Sequence, residues 1–169
     1  VSKAAMNFSS TAQLLCFIGR DDVGKSTESH IRRLPFERID PVYVRNGWLN
    51  IFIMIDGTEL RFVSAGGRIA GGPYRTFMKK FESAIGSVPQ NTVLVMGNRI
   101  PRGLPDDFHS GMIARAKAAG VKTLIDASSS WTRIQIENCL NSGPYVLKAN
   151  AEEFAYLTGM DVAAVSGDF

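Results

Sequence analysis

The 169-residue sequence has no apolar run long enough to span a bilayer and no long apolar stretch of the kind found in signal peptides. Its net charge is only +3 and its basic residues are spread along the chain, so we predict neither a nucleic-acid partner nor a membrane partner. It contains only two cysteines, Cys16 and Cys139, both in apolar segments. Buried free thiols in a reducing compartment fit this pattern better than a disulfide does. The two cysteines therefore favour a cytoplasmic protein.

From residue 92 onward, strand-like and helix-like segments alternate. Parallel strands need crossover connections, which are usually helices, so this order predicts an α/β fold with a parallel sheet. Strands are predicted at 92–97, 121–128 and 145–150, and helices at 106–120, 131–143 and 151–159.

The region before residue 92 is less regular. A helix there is predicted to begin at Ser26 or Thr27 as its N-cap, and an extended segment follows it. Asp56 and Gly57 join two runs rich in β-branched and aromatic residues, which is typical of a hairpin. The predicted elements are a strand at 13–18, a helix at 26–34, hairpin strands at 48–55 and 58–64, and a helix at 74–85.

The segment Gly19–Ser26 reads G-R-D-D-V-G-K-S, which is the spelling of a phosphate-binding P-loop. In that reading Lys25 would contact the outer phosphates and Ser26 would hold Mg²⁺. Two aspartates, Asp21 and Asp22, count against it, because carboxylates inside the loop would repel the phosphates. The alternative is a strand-to-helix turn whose glycines serve backbone geometry.

Four segments in the correct order resemble the PfkB carbohydrate kinase family. They are "FIGRDDVG" at 17–24, "GWLNIFIMIDG" at 47–57, the stretch from "VLVMGNRIPRG" to "LIDASS" at 93–129, and "GPYVLKANAEEFAYLTG" at 143–159. The resemblance implies a ribokinase-like three-layer α/β/α core, with a largely parallel sheet and a small β lid hairpin at about 40–70. It also assigns Gly19, Gly24 and either Asp21 or Asp22 to a G-x-D-x-x-G turn, which makes the P-loop spelling accidental.

The lysine of "LKAN" is similar to that of the sugar-phosphate branch of the family, such as 1-phosphofructokinase and tagatose-6-phosphate kinase. The resemblance therefore implies ATP-dependent phosphorylation of a sugar phosphate, with ATP and Mg²⁺ as cofactors. By position it implies sugar binding by Asn50, Asn98 and Arg99, phosphate or nucleotide binding by Lys148 and Asn150, and Mg²⁺ binding by Glu153. Without the family, Asn150 and Glu153 would be expected only to cap a helix.

The Gly-Ala-Gly-Asp turn that carries the family's catalytic aspartate is not in this sequence, so no catalytic residue is predicted. We expect 1–169 to be part of a PfkB-type kinase domain that lacks the ATP-binding C-terminal part, and to be inactive alone. A homodimer through the lid strands is a further expectation.

Other functions and roles stay open at this stage. Trp48 stands where the sugar-phosphate branch has a phosphate-binding arginine, and Ala149 replaces a proline, so a non-catalytic sugar-phosphate-binding protein is one alternative. A P-loop NTPase is the other. Asp126 is expected to be structural, with a polar position beside the site as the alternative. His30 and His109 are expected to lie at the surface or at helix caps.

Overall fold

The computed structural model describes residues 12–47, 50–55, 58–63, 66–89, 91–96, 100–127 and 130–161, with backbone only for the hairpin strands within 50–63. The strands are β1 (Gln13–Gly19), β2 (Arg38–Val44), β3 (Asn50–Ile55), β4 (Thr58–Val63), β5 (Val93–Met96), β6 (Lys122–Asp126) and β7 (Val146–Lys148). The helices are α1 (Asp22–Ile31), α2 (Gly72–Ile85), α3 (Phe108–Ala118), α4 (Arg133–Asn141) and α5 (Ala151–Thr158).

The chain divides into two compact units. The first is formed mainly by residues 12–81 and the short segment Pro101–Leu104. The second is formed mainly by Glu82–Ile100 and the residues from Pro105 on. Within the described residues, no helix is long and apolar enough to cross a membrane.

In the first unit β1, α1 and β2 form a parallel βαβ arrangement, with Gln13 opposite Arg38 and Gly19 opposite Val44. The sequence predicted β2 only as an extended segment, because its central residue is Pro41. That proline is tolerated where β2 pairs with β1 alone among the described strands. The core of this unit includes the stacked rings of Phe17 and Phe77, whose centroids are 4.5 Å apart.

The predicted hairpin is confirmed, since β3 and β4 pair antiparallel from Asn50–Val63 to Ile55–Thr58. Its turn residues, Asp56 and Gly57, lie outside the described residues. The predicted helix at 74–85 is also confirmed and begins two residues earlier, at Gly72.

The prediction for α1 was wrong at its start. The helix begins at Asp22, and its N-cap is Asp21, whose carboxylate accepts a hydrogen bond from the Gly24 amide. Neither Ser26 nor Thr27 is a cap. Sequence reasoning placed the start too late because Gly24 lies inside the helix, where glycine is normally unfavourable.

The second unit contains the predicted parallel sheet, with strand order β5-β6-β7. Met96 pairs with Ile125, and Asp126 pairs with Lys148, so the carboxyl ends of neighbouring strands lie side by side. Helices α3 and α4 make the crossovers. Helix α5 ends at Thr158, and its C-cap is Gly159, whose φ of 71° glycine adopts without strain. The buried apolar core of this unit includes Met96, Phe108, Met112, Ile113, Ala116, Ile125, Trp131, Ile136 and Cys139.

His109 is not at the surface, contrary to the prediction. It is buried between the rings of Phe108 and Trp131, with centroid distances of 5.6 and 5.1 Å. Burial lowers its pKa to about 4. The imidazole therefore packs in the core as an aromatic ring. Sequence reasoning missed its burial because a polar side chain on a helix is expected at the surface.

Both cysteines are free thiols, as predicted. Cys139 is buried and Cys16 is partly buried, and burial is the first cause that raises the pKa of each to about 11. Each is therefore a protonated, unreactive thiol at neutral pH.

Candidate functional site

The candidate site lies in the second unit, at the edge where β5, β6 and β7 end. Ligands of open α/β sheets bind beyond the carboxyl ends of parallel strands, because loops and helix N-termini gather there. The strands end at Met96, Asp126 and Lys148, and α5 begins three residues after β7. This edge therefore brings together the side chains of Lys148, Asn150 and Glu153, which the resemblance singled out.

Lys148 is not an isolated strand-end cation. Its Nζ lies 2.7 Å from Oδ1 of Asp126, the residue paired with it on β6. The side chain of Asp126 is only 11% exposed, whereas that of Lys148 is 59% exposed. The hydrogen bond and charge of Asp126, and then the more distant charge of Glu153, raise the pKa of Lys148. Lys148 is therefore a fully charged ammonium that already has a carboxylate partner.

Asn150 and Glu153 form a reciprocal capping box at the start of α5. The Asn150 side-chain oxygen accepts a hydrogen bond from the Glu153 amide at 2.8 Å, and Glu153 Oε2 accepts one from the Asn150 amide at 2.9 Å. The capping role expected from the residues alone is thus present. In this arrangement one carboxylate oxygen of Glu153 is committed to the backbone.

Replacing Asn150 with alanine is expected to lower the free energy of unfolding by about 1 kcal/mol, because the first turn of α5 loses its N-cap. Asn150→Asp keeps an acceptor at the same place and is expected to stay close to the parent protein. Urea unfolding followed by circular dichroism measures both. Equal losses in the two variants would contradict the capping role.

The residues predicted to bind sugar stay a prediction, because none of their side chains is among the described ones. Asn50 is the first residue of β3, opposite Val63, and belongs to the first unit; its side chain lies outside the description. Asn98 and Arg99 follow β5 and also lie outside the described residues. Trp48 does too, so the substitution at this position has no structural explanation.

The residues at this edge fit Mg²⁺ only through water. The described part of the chain contains no group of three or more acidic, histidine or cysteine side chains that could hold a metal ion directly. Glu153 offers one carboxylate, which is consistent with an ion that keeps several of its waters. The described residues at this edge do not by themselves test whether ATP binds.

Sequence reasoning missed the pairing of Asp126 with Lys148. It predicted Asp126 to be structural, with a polar position beside the site as the alternative, and the structure makes it the ion-pair partner of Lys148. The signal was available, because both residues end predicted neighbouring parallel strands. Residues at matching ends of adjacent strands lie opposite each other.

The turn with the P-loop spelling has a different geometry. Only Arg20 and Asp21 separate β1 from α1, and the Asp21 carboxylate accepts hydrogen bonds from the amides of Gly24 at 2.9 Å and Gly47 at 2.9 and 3.0 Å. These bonds lower the pKa of Asp21. A carboxylate therefore lies at the helix N-terminus, where a P-loop would hold phosphate.

Lys25 forms an ion pair with an aspartate of its own helix. Its Nζ lies 3.0 Å from Asp22 Oδ1, and both side chains are largely exposed. The glycines serve close packing instead, since a Cβ on Gly24 would overlap the carbonyl of Gly19. The structure thus identifies Asp21 as the aspartate of the G-x-D-x-x-G turn.

No protein-family model matches the sequence. Among solved structures, phosphofructokinase-2 of Escherichia coli with potassium is similar at a TM-score of 0.75 and 18% identity, over 95% of this chain and 50% of that one. The same enzyme with fructose-6-phosphate gives 0.72 and 18%, over 95% and 51%. A protein described as a possible 1-phosphofructokinase of Thermotoga maritima gives 0.72 and 17%, over 89% and 47%.

The chain thus spans about half the length of the solved kinases that it matches. At this level of identity the likeness concerns the fold. The parallel strands, the crossover helices and the antiparallel hairpin agree with what the sequence resemblance implied. The chain therefore has the ribokinase-like α/β fold of the PfkB phosphofructokinases.

Proposed function

We propose that this chain belongs to an ATP-dependent sugar-phosphate kinase and supplies part of its phosphate-binding edge. One observation carries the proposal: Lys148, Asn150 and Glu153 meet at the carboxyl edge of a parallel sheet in a fold shared with phosphofructokinases. That edge is the usual ligand position in such sheets. The E. coli enzyme has been solved with fructose-6-phosphate and with substrates and products, which suggests the substrate class.

Each residue has a proposed part in this chemistry. The ammonium of Lys148 attracts a phosphate oxygen, and the positive dipole end of α5 adds to this attraction, although the capping box uses the amides of Asn150 and Glu153. Glu153 would hold Mg²⁺ through water, and the ion would supply positive charge to neutralise the transferring phosphoryl group. Asn50, Asn98 and Arg99 are proposed to contact the sugar.

The chain supplies only some of the residues that the proposed kinase reaction needs. The sequence has no Gly-Ala-Gly-Asp turn, so the aspartate that takes the proton of the sugar hydroxyl is not among these residues. We propose that 1–169 is a partial kinase domain that does not transfer phosphate alone. A homodimer through β3 and β4 and a cytoplasmic location remain part of the same proposal.

Binding of fructose 6-phosphate to the chain tests the function. Replacing Lys148 with methionine is expected to weaken binding about fivefold to tenfold, because a charge-assisted contact to phosphate is lost. Lys122→Met is the matched control, since Lys122 begins β6 at the opposite edge of the same sheet. Calorimetry or NMR titration gives the dissociation constants. Equal affinities for the parent chain and the Lys148 variant would contradict the proposed site.

A P-loop NTPase is the second candidate, supported by spelling alone. The occupied helix N-terminus at Asp21 argues against it. Lys25→Ala is expected to leave nucleotide binding unchanged, and loss of ATP binding in that variant would favour the NTPase. A non-catalytic sugar-phosphate-binding protein would use the same edge as the kinase, and would differ by showing no turnover in any longer form.

A further inference from the structure

We infer that Asp126 competes with the phosphate anion for the ammonium group of Lys148. Asp126 thereby weakens phosphate binding at this edge. The inference rests on the proposed function in taking Lys148 as the anion-binding residue. The ion pair and the bound anion would use the same ammonium group. The strength of anion binding therefore depends on how firmly Asp126 holds it.

The burial of the two partners shows which of them can change its contact. The Asp126 side chain is 11% exposed and sits at the end of a central strand, whereas the Lys148 side chain is 59% exposed. A nearly buried carboxylate needs a cation or hydrogen-bond donors close by. Lys148 is the cation that the described residues place within ion-pair distance of it. A long lysine side chain, in contrast, can leave the pair and remain solvated.

The backbone keeps both residues in place. Asp126 and Lys148 are paired in the parallel ladder, and the Ala127 amide donates to the Lys148 carbonyl at 2.8 Å just beyond it. A ligand therefore cannot separate the two residues by moving the strands apart. It can only draw the Lys148 ammonium away from Asp126 or bind beside the intact pair.

The charges around Lys148 make either route unfavourable. Asp126 lies at 2.7 Å, and Glu153 is held close by the capping box at the start of α5. An anion approaching the ammonium therefore meets one positive and two negative side chains. Removing the nearer negative charge, with the shape of the side chain retained, should free the ammonium and strengthen anion binding.

Asp126→Asn is the variant that tests this. We expect it to bind inorganic phosphate and fructose 6-phosphate about fivefold more tightly than the parent chain at low ionic strength without divalent ions. The gain should vanish in the double variant Asp126→Asn with Lys148→Met, because the competition concerns that ammonium. Glu37→Gln is the charge-matched control: it removes one negative charge from an exposed position of the first unit, outside the sheet that carries the site.

NMR titration measures the affinities and also follows the Lys148 side-chain resonances directly. A shift of these resonances on phosphate addition, larger in Asp126→Asn than in the parent chain, is the expected signature. Circular dichroism confirms that each variant is folded before titration.

The outcomes separate the inference from the function. Tighter phosphate binding in Asp126→Asn that depends on Lys148, with no preference for the sugar phosphate, would keep the inference and overturn the proposed substrate. Unchanged or weaker binding of both anions in a folded Asp126→Asn variant would overturn the inference, as would a gain that survives in the double variant. If Lys148→Met still weakened sugar-phosphate binding in that case, the proposed function would stand although the inference about Asp126 had failed.

Discussion

Replacing Gly24 with alanine is expected to lower the free energy of unfolding by about 3 kcal/mol, although alanine is the better helix former. Gly24 lies inside α1, where propensity alone would predict a gain of up to about 1 kcal/mol. A Cβ there would overlap the carbonyl of Gly19, the last residue of β1. That obstacle is backbone rather than a flexible side chain, so the strand-to-helix turn itself would have to open.

Gly72→Ala is the matched control. Gly72 is also a helical glycine, the first residue of α2, and nothing lies within 4 Å of a Cβ built on it. Its substitution is expected to be neutral or slightly stabilising. Urea unfolding of both variants, followed by circular dichroism, gives the comparison. A Gly24→Ala variant as stable as the parent would show that the turn is not closely packed.

The same turn explains why the sequence could be read in two ways. A P-loop and a G-x-D-x-x-G turn both need glycines between a strand and a helix, but for different reasons. Here Asp21 binds the amides of Gly24 and Gly47, and the glycines let the backbone segments approach each other. Spelling alone cannot distinguish amides that hold a phosphate from amides that hold a carboxylate of the same chain.

The second unit was predictable because its signals are local. Short apolar runs, helical spacing and terminal glycines recur from residue 92 on, and crossover rules then require parallel strands. The pairing of β5, β6 and β7 follows from that order. The capping box of Asn150 and Glu153 was predictable for the same reason, since its two residues are three apart.

The features that could not be predicted depend on contacts distant in sequence. The strand character of β2 comes from pairing with β1, which outweighs the cost of Pro41. The partner of Lys148 lies 22 residues earlier, on the neighbouring strand. The burial of His109 depends on Trp131, which lies on a different segment. In each case the local sequence is compatible with more than one environment, and tertiary packing selects one.

The stability of the protein is expected to fall by about 3 kcal/mol as the pH is lowered from about 6.5 to about 4, through His109 alone. Burial lowers the pKa of His109 from its ordinary value of 6.5 to about 4. The unfolded chain therefore binds the proton more tightly than the folded one, and protonation favours unfolding. Stability from this group is fully present above pH 6.5 and is lost as the pH falls towards 4.

His109→Phe isolates this contribution, because an aromatic ring that cannot ionise takes the place of the imidazole between Phe108 and Trp131. Carboxylates also change stability in this pH range, so the informative quantity is the difference between the urea-unfolding profiles of parent and variant. Between pH 7 and 4.5 the parent should lose about 2 to 3 kcal/mol more than the variant. Parallel profiles for the parent and His109→Phe would contradict this prediction. They would mean that the imidazole is protonated in the folded state at little cost in the free energy of unfolding.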